Sequence, residues 1–228
     1  MAGDALSREA LDALRRYDSP TLSNAIETFD IRPRDEGFAG MEIRCLFPDL
    51  APMVGYAATA TIRALGRGTG DADHSPLWAL VRGLPEPRVV VIQDLDDPPG
   101  HGAFWGEVQS TIYKALGCAG TVTDGCVRDL KEVREMGFQF FARGPGVSHA
   151  YVRLESVGGP VRVGGLTVRP GDLVHADQHG VLLIPQEIAT ELPAAADRIV
   201  EREQEFIRWV RSAEFDPDRL AEMRQVRH

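Results

Sequence analysis

The chain has 228 residues, of which 43% are hydrophobic, and a formal net charge of −9. That length supports one substantial core. The acidic balance argues against broad nucleic-acid or anionic-membrane binding, because those partners need a basic face that releases counterions. Three cysteines, Cys45, Cys118 and Cys126, form no CxxC pair, which favours a reducing compartment and thiols packed as small core residues. The opening Met1-Ala-Gly-Asp-Ala-Leu6 lacks a basic segment followed by an apolar one, and no apolar run nears the roughly 18 residues of a membrane span. A cytoplasmic globule is the expectation.

Residues 7–17 place Leu11 and Leu14 at helical spacing, and Asp18-Ser-Pro-Thr-Leu-Ser23 supplies a cap signal for a second helix reaching Ile26 and Phe29. Residues 30–52 read as a long connection, followed by an alternating strand over residues 56–63. Gly66-Arg-Gly-Thr-Gly70 has neither the spacing of a dinucleotide fingerprint nor the Lys-Ser/Thr ending of a phosphate loop, so a loop without phosphate chemistry is the better reading. Residues 78–84 finish a short helix, and residues 88–94 form a continuous apolar run of the kind buried on both faces of a sheet. Helical spacing resumes over residues 108–116 and Gly117 caps it. A strand over residues 120–125, a helix through the 130s ending at Gly137 and a strand over residues 138–142 complete a β-α-β-α-β run, implying parallel neighbours.

After Pro145 short strands separated by glycine and proline turns predict an antiparallel or mixed second layer. Residues 188–211 are amphipathic, as expected of a terminal helix packed on its own domain or on a neighbouring subunit. No composition shift marks a second domain, so residues 1–228 are read as one.

Two strand-to-helix junctions carry the residues best suited to chemistry. Glu107 follows Gly106 where one apolar run gives way to a helix, and Arg128-Asp129 stands at the next such junction. Open α/β folds collect ligands at these places, where loop side chains and helix N-terminal amides converge. Arg128 is a planar fork suited to a carboxylate, and Asp129 is a hard oxygen ligand suited to Mg²⁺ or Mn²⁺. The amides of Val108 and Gln109 at a helix start suit the same anion, and Glu107 suits a proton-carrying water. On spacing alone, a surface ion pair with Asp129 capping its own helix accounts for the same residues. Competing constellations are weaker. His175, Asp177 and His179 alternate like a metal cluster but read better as a turn, and Ser148-His149 with Asp172 lacks the nucleophile-elbow context of a hydrolase. Lys114 and Lys131 lie on predicted helices, which disfavours a Schiff-base aldolase.

Three blocks in order carry a wider resemblance: Trp105-Gly-Glu107, the run from Ala119 to Asp129, and the run from Val168 to Pro185. Over about residues 5 to 205 the chain resembles the family that joins 4-hydroxy-4-methyl-2-oxoglutarate/4-carboxy-4-hydroxy-2-oxoadipate aldolase with the regulator of ribonuclease activity A. Its most specific element is an acid, twenty intervening residues, and Arg-Asp, satisfied here by Glu107 and Arg128-Asp129.

The resemblance implies an α-β-β-α sandwich of the swivelling phosphohistidine-domain-like type with a C-terminal helix, assembled as a homotrimer or hexamer with sites between subunits. It implies Mg²⁺ or Mn²⁺ held by Asp129, with Glu203, or its neighbour Glu201, approaching the metal waters from an adjacent subunit. Arg128 would bind substrate and stabilise an enolate oxygen, Glu107 would position a water for proton transfer, and Gly106, Val108 and Gln109 would receive a pyruvate carboxylate. The activity implied is class II aldol cleavage of a 4-hydroxy-2-oxo acid to pyruvate, with oxaloacetate decarboxylation beside it. The alternative it implies is a non-catalytic regulator that binds a ribonuclease. Retention of an acid at Glu107 favours the enzyme, while Asn24 and Gln109 depart from the residues common at their positions and leave the acceptor half of the substrate open.

Overall fold

A computed structural model of the chain describes residues 5–68 and 73–225. Thr69 and Gly70, the end of the glycine-rich loop, and the first four residues lie outside the described part.

Helices α1 (Arg8–Leu14) and α2 (Ser19–Glu27) open the fold, α2 N-capped by Asp18 as the sequence suggests and α1 by Ser7. After a long connection come strands β1 (Arg44–Cys45) and β2 (Met53–Arg63), helix α3 (Ser75–Gly83) and strand β3 (Arg88–Asp94). Helix α4 (Glu107–Ala115) leads to β4 (Cys118–Thr123) and β5 (Cys126–Val127), and α5 (Leu130–Glu135) leads to β6 (Gln139–Ala142) and β7 (Gly144–Pro145). Gly117 and Gly137, at φ +77° and +70°, end α4 and α5 in the left-handed conformation that glycine takes without a Cβ penalty. Strands β8 (Arg153–Val157), β9 (Val161–Val163), β10 (Leu166–Val168), β11 (Leu173–Asp177) and β12 (Gly180–Ile184) follow, then helices α6 (Leu192–Val210) and α7 (Leu220–Gln225).

The main sheet runs β1-β6-β4-β3-β2-β11-β12. Strands β2, β3, β4 and β6 are mutually parallel, as the β-α-β-α-β reading requires. Strand β2 is long enough to hold two partners along one edge: residues 53–56 pair antiparallel with β11, and residues 60–63 with β8. The strands after Pro145 therefore do not form a separate sheet layer. Most of them extend the parallel sheet, and the hairpin β9–β10 alone lies across its face. The reason is that β11 is buried on both faces and β12 nearly so, and such strands lie within a fold rather than on a half-solvated layer.

Side-chain alternation along β2 sorts the core into two faces. Val54, Tyr56, Ala58, Ala60 and Ile62 look toward the helices, meeting α1, α2 and α6 at one end and α3, α4 and α5 at the other. Met53 and Ala57 look the opposite way, into a cluster closed by Val161, Val163, Leu166 and Val168 of the hairpin. The result is a mixed α/β fold around a curled mixed sheet, with the long helix α6 and the short α7 at its C-terminal end. The helices cover the sheet so that the starts of α4 and α5, on consecutive crossovers, come side by side.

Candidate active site

The two junctions meet through main-chain pairing before any side chain is involved. Trp105 and Val127 form a parallel bridge, and the Arg128 N–H donates to the Trp105 carbonyl at 3.0 Å. This brings Asp129 to the first turn of α4, where its Oδ2 accepts the Glu107 N–H at 2.9 Å. Asp129 stands at the N-cap position of α5 yet makes no cap bond to that helix; it caps the neighbouring α4 instead. Its backbone is left-handed, φ +55° and ψ +44°, uncommon for a residue with a Cβ and often a mark of a site whose geometry is imposed by its surroundings. The plain reading of Asp129 as the cap of its own helix is thereby replaced by a bond across two crossovers.

Gly106 is what makes room for that bond. A Cβ there would lie 2.5 Å from Asp129 Oδ2 and 3.1 Å from Arg128 Nε. The Arg128 Nε stands 3.7 Å from the same carboxylate oxygen, and both side chains are more than a third exposed, so the pair is oriented rather than strongly stabilising. Asp129 Oδ1 accepts no hydrogen bond from the described residues. Next to it the N–H groups of Val108 and Gln109, in the first turn of a nine-residue helix, have no described acceptor, and such amides with the helix dipole behind them suit an anion.

Arg128, Asp129, Gly106, Val108 and Gln109 all line one cleft of about 240 Å³. Glu107 is adjacent but exposed, and its side chain is not part of the lining. Glu203 sits on α6, which packs on α1 and α2 at the other end of the sheet, so within one chain it does not approach the cleft.

Two polar lining residues were not legible as such. His74 precedes α3, far away in sequence, and its Nδ1 lies 3.3 Å from Gln109 Nε2 while its ring stacks on Phe104 with centroids 5.2 Å apart. Burial lowers its pKa from the ordinary imidazole value. His149 lies at the exposed mouth, its Nδ1 2.7 Å from the Ala150 carbonyl. Only tertiary contact places either of them there. The hydrolase alternative dissolves, since Ser148 bonds the Ala150 N–H and Asp172 accepts from the Arg169 N–H of its own turn.

The His175, Asp177 and His179 set is a structural lock. His175 is buried, with Nδ1 3.0 Å from Ser19 Oγ and Nε2 3.1 Å from the Tyr17 carbonyl, while Asp177 accepts the N–H groups of Ser19 and His179. These bonds fasten the start of α2 to the β11–β12 turn. Burial pushes His175 down to about 4, so between there and the ordinary 6.5 the unfolded chain takes up a proton that the folded chain refuses. Its contribution is complete above the ordinary value and is lost as pH falls toward 4. Burial acts against it, but the bonds from Ser19 and His179 hold the Asp177 carboxyl low, so that contribution also fades on acidification. Asp124, pushed by burial up to about 6, works in the opposite direction. Urea unfolding of wild type and His175→Gln between pH 7 and pH 4 isolates the imidazole: the variant is expected to lose about 3 kcal/mol of the pH-dependent drop in stability.

A family model described as RraA-like, Aldolase/RraA, matches residues 19–183. A Halalkalibacterium halodurans protein, provisionally named a 4-hydroxy-4-methyl-2-oxoglutarate aldolase, is 34% identical over 85 residues, 37% of this chain and 40% of that protein. The crystal structure of an uncharacterized protein from Pseudomonas syringae superposes with a TM-score of 0.74 at 24% identity, covering 97% of this chain and 95% of that one. Streptomyces coelicolor RraAS2, described as an unusual member of the RNase ES inhibitor RraA protein family, superposes with a TM-score of 0.71 at 26% identity over 90% of this chain and 98% of its own. The chain spans 58% and 40% of the length of the first curated relatives it matches.

Proposed function

The chain belongs to the RraA-like family of aldolases and RraA proteins, and from that premise we propose that it is a divalent-metal-dependent lyase releasing pyruvate from a 4-hydroxy-2-oxo acid. The observation that carries this reading is Asp129, a carboxylate held in a left-handed backbone by the Glu107 N–H, beside a guanidinium and open to a cleft. A mere surface ion pair needs neither the strained backbone nor the missing Cβ at Gly106.

Asp129 fits a hard cation such as Mg²⁺ or Mn²⁺, because its Oδ1 is unengaged among the described residues. Among the described residues it is the only carboxylate that lines the cleft, and no cluster of three His, Cys, Asp or Glu occurs among them. The donor set therefore suits an ion that keeps waters or substrate oxygens rather than one enclosed by protein. When bound, such an ion supplies Lewis-acid stabilisation of charge on a 2-oxo oxygen.

The chain's own residues account for the rest. The free N–H groups of Val108 and Gln109 receive the substrate carboxylate. Arg128 donates to the 2-oxo oxygen, where negative charge gathers as the C3–C4 bond breaks, and preorganised donors of this kind contribute most at the transition state. Glu107, exposed next to the cleft, holds the water that carries the proton away from the C4 hydroxyl and back to the three-carbon product. Loss of CO₂ from oxaloacetate would use the same enolate. Glu203 joins the site only if an adjacent subunit brings α6 to it, so a trimer or hexamer is part of the proposal.

A coupled pyruvate assay tests it. The purified protein should release pyruvate from a 4-hydroxy-2-oxo acid with Mg²⁺ or Mn²⁺ and cease with EDTA. The likeness to RraAS2 gives the other reading its ground: no pyruvate from any such acid, together with binding to a ribonuclease, would replace the enzyme by a regulator.

A further inference from the structure

Helices α3 and α4 meet along a polar seam that begins at the cleft. At its outer end the Nδ1 of His74, the residue before α3, lies 3.3 Å from Gln109 Nε2. One turn further along each helix stand Trp78 and Tyr113, with Trp78 near the Tyr113 hydroxyl. Gln109 Oε1, Trp78 Nε1 and Tyr113 Oη are sealed from solvent within the single chain and find no partner among the described residues. Because the chain itself already encloses these atoms, a neighbouring subunit does not reach them.

The seam fixes the state of His74. An indole nitrogen only donates and a phenol hydroxyl can donate, so the acceptor end of the Gln109 amide belongs on this inner side, directly or through a bridging water, and its NH₂ end belongs against the imidazole. With Gln109 Nε2 donating to Nδ1, the neutral ring carries its proton on Nε2. Burial favours that neutral form, and stacking on Phe104, with centroids 5.2 Å apart, holds the ring in the wall of the cleft. His149 also lines the cleft, but at its exposed mouth and with Nδ1 taken up by the Ala150 carbonyl.

We infer that His74 is a further catalytic residue, whose Nε2–H donates to the C4 oxygen of the substrate. The inference rests on the aldolase reading and adds to it a group at the end where the bond breaks. With the carboxylate on the α4 amides and the 2-oxo oxygen at Arg128, the C4 oxygen extends into the remainder of the cleft, which His74 lines. In cleavage the C4 hydroxyl gives its proton to the water at Glu107, the C3–C4 electron pair passes to C3, the C4 oxygen becomes a carbonyl, and the same water returns the proton to C3. His74 neither gains nor loses a proton. Its N–H stabilises the negative charge that gathers on the C4 oxygen before the bond breaks, and in the reverse direction it polarises the carbonyl.

Oxaloacetate supplies the internal control, since its decarboxylation forms the same enolate from a substrate with no C4 hydroxyl. The experiment measures kcat for Mg²⁺-dependent pyruvate release by the full chain and by His74→Ala, from oxaloacetate and from whichever of 4-hydroxy-4-methyl-2-oxoglutarate and 4-hydroxy-2-oxopentanoate the wild type cleaves faster. The ratio of aldol cleavage to decarboxylation is expected to fall by about a hundredfold in the variant, the loss typical of one donor removed from a developing oxyanion. A ratio within about threefold of wild type, whether both activities persist or both fall together, would overturn the inference and leave the aldolase reading standing. If the wild type releases pyruvate from neither hydroxy acid, the aldolase reading fails and takes the inference with it. A second measurement needs no variant activity: nitrogen-15 spectra of the wild-type protein near neutral pH, with the His74 signals assigned by their loss in His74→Ala, should show a bare Nδ1 and a protonated Nε2. A proton on Nδ1 instead would leave His74 without its donor and overturn the inference.

Discussion

Replacing Asp129 by asparagine is expected to lower kcat/KM for pyruvate release by about a thousandfold while leaving the fold in place. Asparagine is the informative choice because it tolerates the left-handed backbone at φ +55° and its amide oxygen still accepts the Glu107 N–H, so α4 keeps its cap. What it removes is charge. A neutral amide oxygen is a much weaker partner for Mg²⁺ or Mn²⁺, and it no longer balances the Arg128 guanidinium. Asp129→Ala would add the loss of the cap and a less tolerant residue in the left-handed region, confounding chemistry with stability. Circular dichroism and a thermal melt of Asp129→Asn should match wild type within a few degrees while turnover collapses. Turnover within about threefold of wild type would remove Asp129 from the site.

The second large effect is expected from a residue with no side chain. Gly106→Ala puts a methyl group 2.5 Å from Asp129 Oδ2, far inside contact distance, and 3.1 Å from two atoms of Arg128. The backbone at Gly106, φ −161°, is extended and open to any residue, so the cost is steric rather than conformational. Either the carboxylate swings away and the α4 cap breaks, or the two crossovers part. Misplacement of about 1 Å in a catalytic group costs about a hundredfold in rate, so a fall of that order in kcat/KM is expected, with lost stability of about 1 kcal/mol from the broken cap. Activity assays and urea unfolding on the same preparation check both. Wild-type activity would mean that the carboxylate has room to retreat and that its position does not matter.

The alternating runs of the β-α-β-α-β segment were readable because their strands are continuously apolar and their helices keep a 3.6-residue period from Val108 to Leu116 and from Leu130 onward. The same pattern put Glu107, Arg128 and Asp129 at adjacent junctions, and the structure brings Arg128 and Asp129 together with the α4 amides. What Asp129 does with its carboxylate was beyond reach, since a residue just before a helix reads as the cap of that helix and nothing local reports a bond to another one. His74 was invisible for a related reason: its place beside Gln109 is set by how α3 packs on β2, not by any neighbour in the chain. The strands after Pro145 were legible as strands, but their membership in the main sheet depends on the free lower edge of β2, which only the assembled fold reveals.

The bond between Asp129 and the Glu107 N–H also makes the interval between them a ruler. Each residue inserted into α4 would advance its far end by about 1.5 Å and turn it through about 100°, while one inserted into β4 would reverse which face of the sheet the following side chain meets. Either change would carry the carboxylate out of reach of the amide it caps. The twenty residues separating Glu107 from Arg128 are thus a length tolerance written into the architecture, and an insertion or deletion there should break the contact that closes it.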